Sequence, residues 1–394
     1  MNTPTLPTYD IWQMAPEIVL FLWALVVITF DVSTRRRSPQ AVGYMALAGP
    51  VVTILVGVLL YAGGKYAIGG SNGVGFGMMF VNESASVFFK LIFLGAAFLA
   101  IAMSFDYLRE QIVHHRGEYY GMMLMSTVGM MFLASSNELL SLYVGLELTT
   151  VPLFVLAAFY KDDKLSVESG IKYLIVGAFS SALLVYGISF MYGFSGTTFL
   201  RPVVEKVGNV SMYSSVSFNL SQVRHLGIIL ILANVCLLAG LGFKLALPPF
   251  HQWTPDVYEG APTPVTAFLS VGSKAAGLIA FAKVMIDGLH QFYDPEMMPN
   301  DWGILAGIMA ASAMIIGNVL AVRQTNVKRL LAYSSIAQAG YIMVGMLSYN
   351  DLGLASVGFY VFVYMFANMG AFAVVAAIEG KTGSVDLRAF RGLS

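Results

Sequence analysis

Apolar residues in this chain gather into long, nearly unbroken runs, not into the alternation of a half-buried strand or the one-sided stripe of a surface helix. A helix crosses a bilayer with about 20 mostly apolar residues. Eleven runs meet or approach that length: Trp12–Phe30, Ala41–Tyr61, Met78–Phe105, Tyr119–Ala134, Glu138–Phe159, Ser166–Met191, Leu226–Leu247, Pro264–Ile286, Trp302–Val322, Val327–Leu347 and Leu352–Ile378. The fourth run is short. Between the seventh and eighth lies Leu247–Pro264, where Pro248, Pro249, Pro255, Pro262 and Pro264 crowd together. Each proline removes a backbone donor and breaks a helix. Carbonyls freed this way are tolerated at membrane depth only where protein or a water-filled cavity meets them. The connection reads either as a turn outside the membrane or as a break within it, and the nearness of Lys244 favours the break.

Composition narrows the class. Of 394 residues, 57% are hydrophobic and only 11% charged, against roughly a quarter charged in soluble domains. The fold class is therefore an all-α polytopic membrane protein in contact with the lipid bilayer. Net charge is zero, so nothing points to nucleic acid. Cys236 is the single cysteine, which excludes a disulfide within the chain, a CxxC redox pair and a four-cysteine cluster. The histidines lack metal-ligand spacing. No cofactor and no metal is expected on this chain.

Basic residues in the loops set a topology. One set of alternate loops holds thirteen: Arg35, Arg36, Arg37, Arg109, Arg116, Lys161, Lys164, Arg323, Lys328, Arg329, Lys381, Arg388 and Arg391. The opposite loops hold four: Lys65, Arg201, Lys206 and Arg224. Basic loops stay on the cytoplasmic side. The N-terminus is thus expected outside and residue 394 on the cytoplasmic side.

The remaining five lysines fall within spans: Lys90, Lys172, Lys244, Lys274 and Lys283. Glu147 joins them at mid-span. A charge at a helix centre costs about 2.5 to 3.5 kcal/mol on insertion scales. Burial disfavours a lysine's charged form and a neighbouring carboxylate favours it, so such a residue is a tunable proton site. The alternative is a long side chain snorkelling to the interface. That alternative is weakest for Glu147 and Lys274, stronger for Lys172 near the start of its span, and level with burial for Lys90 and Lys283. Glu138 reads as a solvated acid at a helix start.

Three long stretches carry a family resemblance: GLGFKLALPPFHQWTPDVYEGAPTPVTAFLSVGSKAAG (Gly240–Gly277), NVKRLLAYSSIAQAGYIMVG (Asn326–Gly345) and VYMFANMGAFAVV (Val363–Val375). They resemble the antiporter-like membrane subunits of respiratory complex I, the proton-pumping NADH–quinone oxidoreductase. The DVYEGAPTPV wording is most similar to the subunit N branch in bacteria. The resemblance covers the chain from about Tyr119 onward. It implies a fourteen-helix fold built on two inverted five-helix repeats, with a broken seventh helix. The expected division is 1–118 for three N-terminal helices, 119–290 for a first repeat and 291–394 for part of a second. Up to Ser394 the sequence is three helices short of that pattern, and the broken twelfth helix with its lysine is not among its spans.

The resemblance also implies roles. Glu147 matches the family's fifth-helix glutamate, and Lys244 the lysine of the broken helix that pairs with it. Lys274 matches the central eighth-helix lysine and Lys172 that of the sixth. Gln338 departs from the histidine of many relatives, which leaves Lys328 and the tenth helix to carry the connection; Lys328 lies near the cytoplasmic boundary, where snorkelling is favoured. Protons would enter from the cytoplasm, pass Lys172 or Lys244 and occupy Lys274. The implied partners are the other membrane subunits and, through them, the quinone and NADH modules. A stand-alone cation/proton antiporter, a related hydrogenase complex and a purely structural scaffold are the alternative classes.

Overall fold

The computed structural model describes all residues except 1–10, 35–38, 70–73, 77, 112–114, 202, 208–209, 217–226, 290–300, 349–350 and 393–394. Arg35, Arg36, Arg37 and Arg224, used above for topology, lie outside the described residues. Among the described residues the chain forms twelve helices: α1 Ala15–Ser33, α2 Pro39–Ala62, α3 Ser84–Gln111, α4 Arg116–Ser135, α5 Leu139–Ala157, α6 Lys164–Ser195, α7 Gly227–Leu245, α8 Trp253–Gly260, α9 Thr263–Gly288, α10 Asp301–Ala321, α11 Val327–Met346 and α12 Asp351–Thr382. Each of the eleven apolar runs contains a helix. Eight are long and apolar enough to cross a membrane; α7 is shorter, and α4 and α11 are 20 residues long but more polar. The fourth span is longer than its apolar run because Arg116 turns inward and donates to the Leu108 carbonyl at 3.0 Å. That contact brings a charged residue into the first turn of α4.

Local chemistry explains the boundaries. Asp163 caps α6 by accepting from Leu165 N, and Gly196 ends that helix at φ +67°, a conformation that suits glycine. Asn326 caps α11 by accepting from the Lys328 and Arg329 amides. Glu138 caps α5 through Ser141 N at 2.8 Å. It is buried, not solvated as its sequence position suggested, because the strand-like segment after α6 lies over it and pairs Phe199 with Glu138.

Successive spans run antiparallel, which gives the bundle two faces. At the amino-terminal face, Asn82 donates to the Gln13 carbonyl, Asn137 N to Met79 O and Arg201 to Asp287. At the opposite, carboxy-terminal face, Gly117 N donates to Asp31, Ser166 to Ala157 O and Val327 N to Val385 O. Two short hairpins, β1 Val74–Gly75 with β2 Phe80–Val81 and β3 Val203–Val207 with β4 Val210–Ser214, decorate the amino-terminal face.

Burial separates an inner helix from an outer ring. The most apolar stretch of α9 is enclosed along its whole length, whereas only 22% of the corresponding stretches of α2 and α10 is buried. The outer ring shows its apolar side chains outward, for example Leu59, Phe179, Ile315 and Phe359. Such a surface suits lipid or neighbouring membrane proteins. Helices α4 and α5 cross closely: a Cβ on Gly129 would sit 2.4 Å from the Thr149 backbone nitrogen. Small residues at such crossings let backbones approach within a membrane, and this one fixes the height of α5 and its charged face.

Candidate functional site

The prolines do break the seventh span. Helix α7 stops at Leu245, Ala246 turns back with φ +57°, and α8 starts at Trp253. The start of the break is buried, with Ala246 and Leu247 fully enclosed, and its later residues Pro249 and Gln252 are exposed. Its carbonyls find partners locally: Gly242 O accepts from Leu247 N at 2.8 Å, and Phe243 O from Ala246 N at 3.0 Å. The Trp253 indole also donates to Phe243 O at 3.3 Å. This meets the requirement that irregular backbone at depth be satisfied by protein.

Lys244 occupies the last turn of α7 and is 2% exposed. A cation suits a helix C-terminus, where the backbone dipoles leave partial negative charge. Its ammonium donates to the Thr150 hydroxyl on α5. Gly277 of α9 gives the lysine stem room, since a Cβ there would meet Lys244 Cγ at 3.2 Å.

Glu147 lies three residues before Thr150, on the same face of α5. It is only half-buried and accepts from the Ser181 hydroxyl of α6. The structure therefore does not close the expected Glu147–Lys244 ion pair. It brings the lysine to Thr150, one turn along α5 from the carboxylate, and engages the carboxylate with Ser181. Glu147 is expected from its mid-span position to be buried; its half-exposure goes with its place on the side of α5 that meets Ser181 of α6.

Lys274 stands near the middle of α9, eleven residues from its start, or roughly 16 Å along the axis. It is 5% exposed. Its ammonium donates to Ser335 O at 2.6 Å and to Ser335 Oγ at 2.7 Å, both on α11. Among the described residues, no carboxylate comes within ion-pair range of Lys244 or Lys274. The hydroxyls of Tyr258 and Tyr364 also lie against Ser335 without completing a hydrogen bond. Buried hydroxyls in that state are able to exchange partners. The turn before Lys274, Leu269–Ser273, is π-helical, and such turns often accompany functional sites.

Lys172 is a correction. Its side chain is 42% exposed and pairs with Glu168 at 2.7 Å and Asp256 at 2.6 Å. It lies eight residues into α6, roughly 12 Å from the helix start, and its stem reaches back to the carboxy-terminal face. There it joins a network not anticipated from the sequence. Asp256 of α8 also binds Arg329 of α11 at 2.8 Å, Arg329 binds Glu259 at 2.7 Å, and Asn326 donates to Glu259 at 3.1 Å. Asp256 thus joins the sixth, broken seventh and tenth spans. These pairs are partly exposed, so each contributes about 1 kcal/mol or less. Asp256→Asn should lower the melting temperature of the complex by a few degrees at low salt, and the difference should shrink in high salt.

Lys328 also departs from expectation. It is 3% exposed and turns inward, donating to Ala261 O at the end of α8 at 2.7 Å. Gln338 accepts from the Tyr360 hydroxyl. Thr150, Ser181, Ser335, Asp256 and Arg329 are the site residues that sequence reading missed. Only Thr150 carried a signal, its three-residue spacing from Glu147.

Residues 136–394 match the family described as NADH:quinone oxidoreductase/Mrp antiporter, TM. The NADH-quinone oxidoreductase subunit N of Moorella thermoacetica is 41% identical over 378 residues, covering 96% of this chain and 73% of that protein. A chain of the respiratory complex I of Thermus thermophilus, solved with bound aureothin, is 30% identical with a TM-score of 0.70, covering 92% of this chain and 70% of that one. A chain of the Mrp complex of Dietzia sp. shares the fold at a TM-score of 0.74 and 19% identity, covering 94% of this chain and 38% of that one.

Proposed function

Because the chain belongs to the subunit N family of NADH–quinone oxidoreductases, we propose that Glu147, Lys244 and Lys274 are the working charges of a proton-translocating membrane subunit. The chain is a multi-pass membrane component of a multisubunit enzyme complex. It contributes no redox centre. The NADH and quinone chemistry belongs to partner modules, and energy reaches this chain through neighbouring membrane subunits. It sits in the bacterial inner membrane, with its N-terminus outside and residue 394 on the cytoplasmic side.

The observation that carries this reading is the pair of enclosed ammonium groups, Lys244 and Lys274, held among the described residues by neutral oxygen partners beside a helix break. Neutral acceptors serve a lysine in either protonation state, because a neutral amine still donates. The nearby carboxylate then decides which state prevails. At an effective dielectric near 20, a unit pair attracts by about 4 kcal/mol at 4 Å and about 2 kcal/mol at 8 Å. When Lys244 swings from Thr150 to Glu147, it gains roughly that difference, more than tenfold in its hold on the proton. When it swings back, the proton passes toward Lys274, and Ser335 with the nearby tyrosine hydroxyls extends the route into α11. Lys172, on the carboxy-terminal face, would collect protons from the cytoplasm and not relay them at depth.

The 41% and 30% identities favour this family branch over the stand-alone antiporters, of which the Mrp chain of Dietzia sp. is 19% identical. Lys244→Met keeps the volume of the side chain and removes its charge. In the assembled complex in proteoliposomes it should leave subunit content intact and lower the protons moved per NADH oxidised. An unchanged ratio would remove Lys244 from the mechanism and revive the reading of these charges as a scaffold.

A further inference from the structure

A second buried pair lies outside the site described above, in the three N-terminal helices. Glu17 near the start of α1 is 0% exposed, and Lys90 of α3 is 3% exposed. They approach to 2.6 Å. Lys90 is well supplied with partners: Asn82 Oδ1 at 2.6 Å, the Tyr66 hydroxyl at 3.5 Å and the face of Phe80 at 4.8 Å. Glu17 is not. Neither carboxylate oxygen completes a hydrogen bond with any described residue, so the ion pair is its one compensation.

That imbalance bears on purpose. Replacing a buried ion pair by apolar residues of similar volume is often neutral or stabilising, and a pair kept for structure alone is secure only when both partners are fully hydrogen-bonded. Here the cation would keep its partners if the carboxylate were neutralised, whereas among the described residues the carboxylate has the cation alone. Glu17 is the half of the pair with fewer partners.

The pair also connects to the central helix. Lys283 lies nine residues beyond Lys274 on α9, roughly 14 Å closer to the amino-terminal face. It is 5% exposed and sits in a second π-helical stretch, Ala282–Gly288. It is within electrostatic reach of Asp287, Arg201 and Lys90. Asp287 binds Arg201 at 2.9 Å, Arg201 pairs with Glu83, and Glu83 directly follows Asn82, the acceptor for Lys90. Ser135 of α4 donates to the same Asn82 oxygen at 3.0 Å. Among the described residues, the titratable or charged groups around Glu17 are Lys90 and Tyr66, with Lys283 beyond Lys90.

We propose that Glu17 and Lys90 form a second protonatable pair, an outlet at the amino-terminal face for protons leaving Lys283. This rests on the translocation reading above and adds a route that leaves the first repeat directly. In the step, the Lys283 ammonium loses one proton and becomes an amine, and Glu17 becomes a carboxylic acid. Lys90 stays charged on Asn82. Release of that proton at the face restores the carboxylate, and a proton handed on from Lys274 restores the Lys283 ammonium, so one proton enters, one leaves and no electron moves.

The test compares protons moved per NADH oxidised by the assembled complex in proteoliposomes. Glu17→Gln, which keeps shape and polarity, should lose the same share of pumping as Lys274→Ala, and Glu17→Asp should restore it. A normal ratio in Glu17→Gln beside a lowered one in Lys274→Ala overturns this outlet and spares the translocation reading. Normal ratios in both overturn the reading on which it rests. If Glu17→Gln fails to assemble, the double variant Glu17→Leu/Lys90→Met, which removes both charges together, decides the matter. A normal ratio there makes the pair structural, and a lowered ratio in a fully assembled complex supports the outlet.

Discussion

Lys274→Ala is expected to abolish the proton transport carried by this subunit while the complex still assembles. The reasoning starts from geometry. The lysine is enclosed on the innermost helix, and its two hydrogen bonds both go to Ser335. A positioned acid–base group typically contributes about 10² to 10⁴-fold to the step it serves, and alanine offers nothing that can carry a proton. Assembly should survive, because removing a buried ammonium leaves only the Ser335 oxygens in need of partners, and the Tyr258 and Tyr364 hydroxyls lie beside them. Proton uptake per NADH in proteoliposomes, measured beside subunit composition, checks both halves. Full pumping in a fully assembled variant would remove Lys274 from the path. Lys274→Arg should not rescue, since a guanidinium holds its proton throughout the physiological range.

Glu147→Gln carries the second largest expected effect, and its logic is the reverse. Glutamine retains a carbonyl that can accept from Ser181, so the side chain should stay in place. What disappears is the charge that makes one position of Lys244 better than the other. With an attraction of about 4 kcal/mol at contact gone, Lys244 would remain on Thr150 and the alternation between its two positions would stop. Pumping should fall at least about tenfold, since each 1.4 kcal/mol removed from the switch is a factor of ten. Glu147→Asp keeps the charge and should retain part of the function. An equal loss in the Gln and Asp variants would point to shape instead of charge.

Much of the architecture was legible in the chain itself. Eleven apolar runs became helices, and the prolines around Pro248 marked a real break, because spans and breaks are local properties of the sequence. The fate of individual charges was less legible. Lys172 and Lys328 both lie near the carboxy-terminal face, yet one reaches out to Glu168 and Asp256 and the other turns in to the Ala261 carbonyl. What separates them is the partner each finds on or at the end of α8, in a different span from its own. Lys90 was level between snorkelling and burial for the same reason, since its decisive neighbour, Glu17, sits on another helix. The ion-pair network around Asp256 needed α6, α8 and α11 side by side before its pairing could be read.

The enclosure of α9 has a mechanical consequence. A helix in contact with lipid must match its apolar length to the hydrocarbon thickness, and tilts, kinks or distorts the bilayer when it does not. The outer ring bears that constraint here, through α2, α6 and α10 with their outward apolar side chains. The inner helix is wrapped by protein and is released from it. Helix α9 can hold two π-helical stretches and two lysines without disturbing the fit of the protein to its membrane. Thickness matching and charge handling are thereby assigned to different helices, so a thinner or thicker bilayer strains the rim of the molecule before it reaches the charges at its centre.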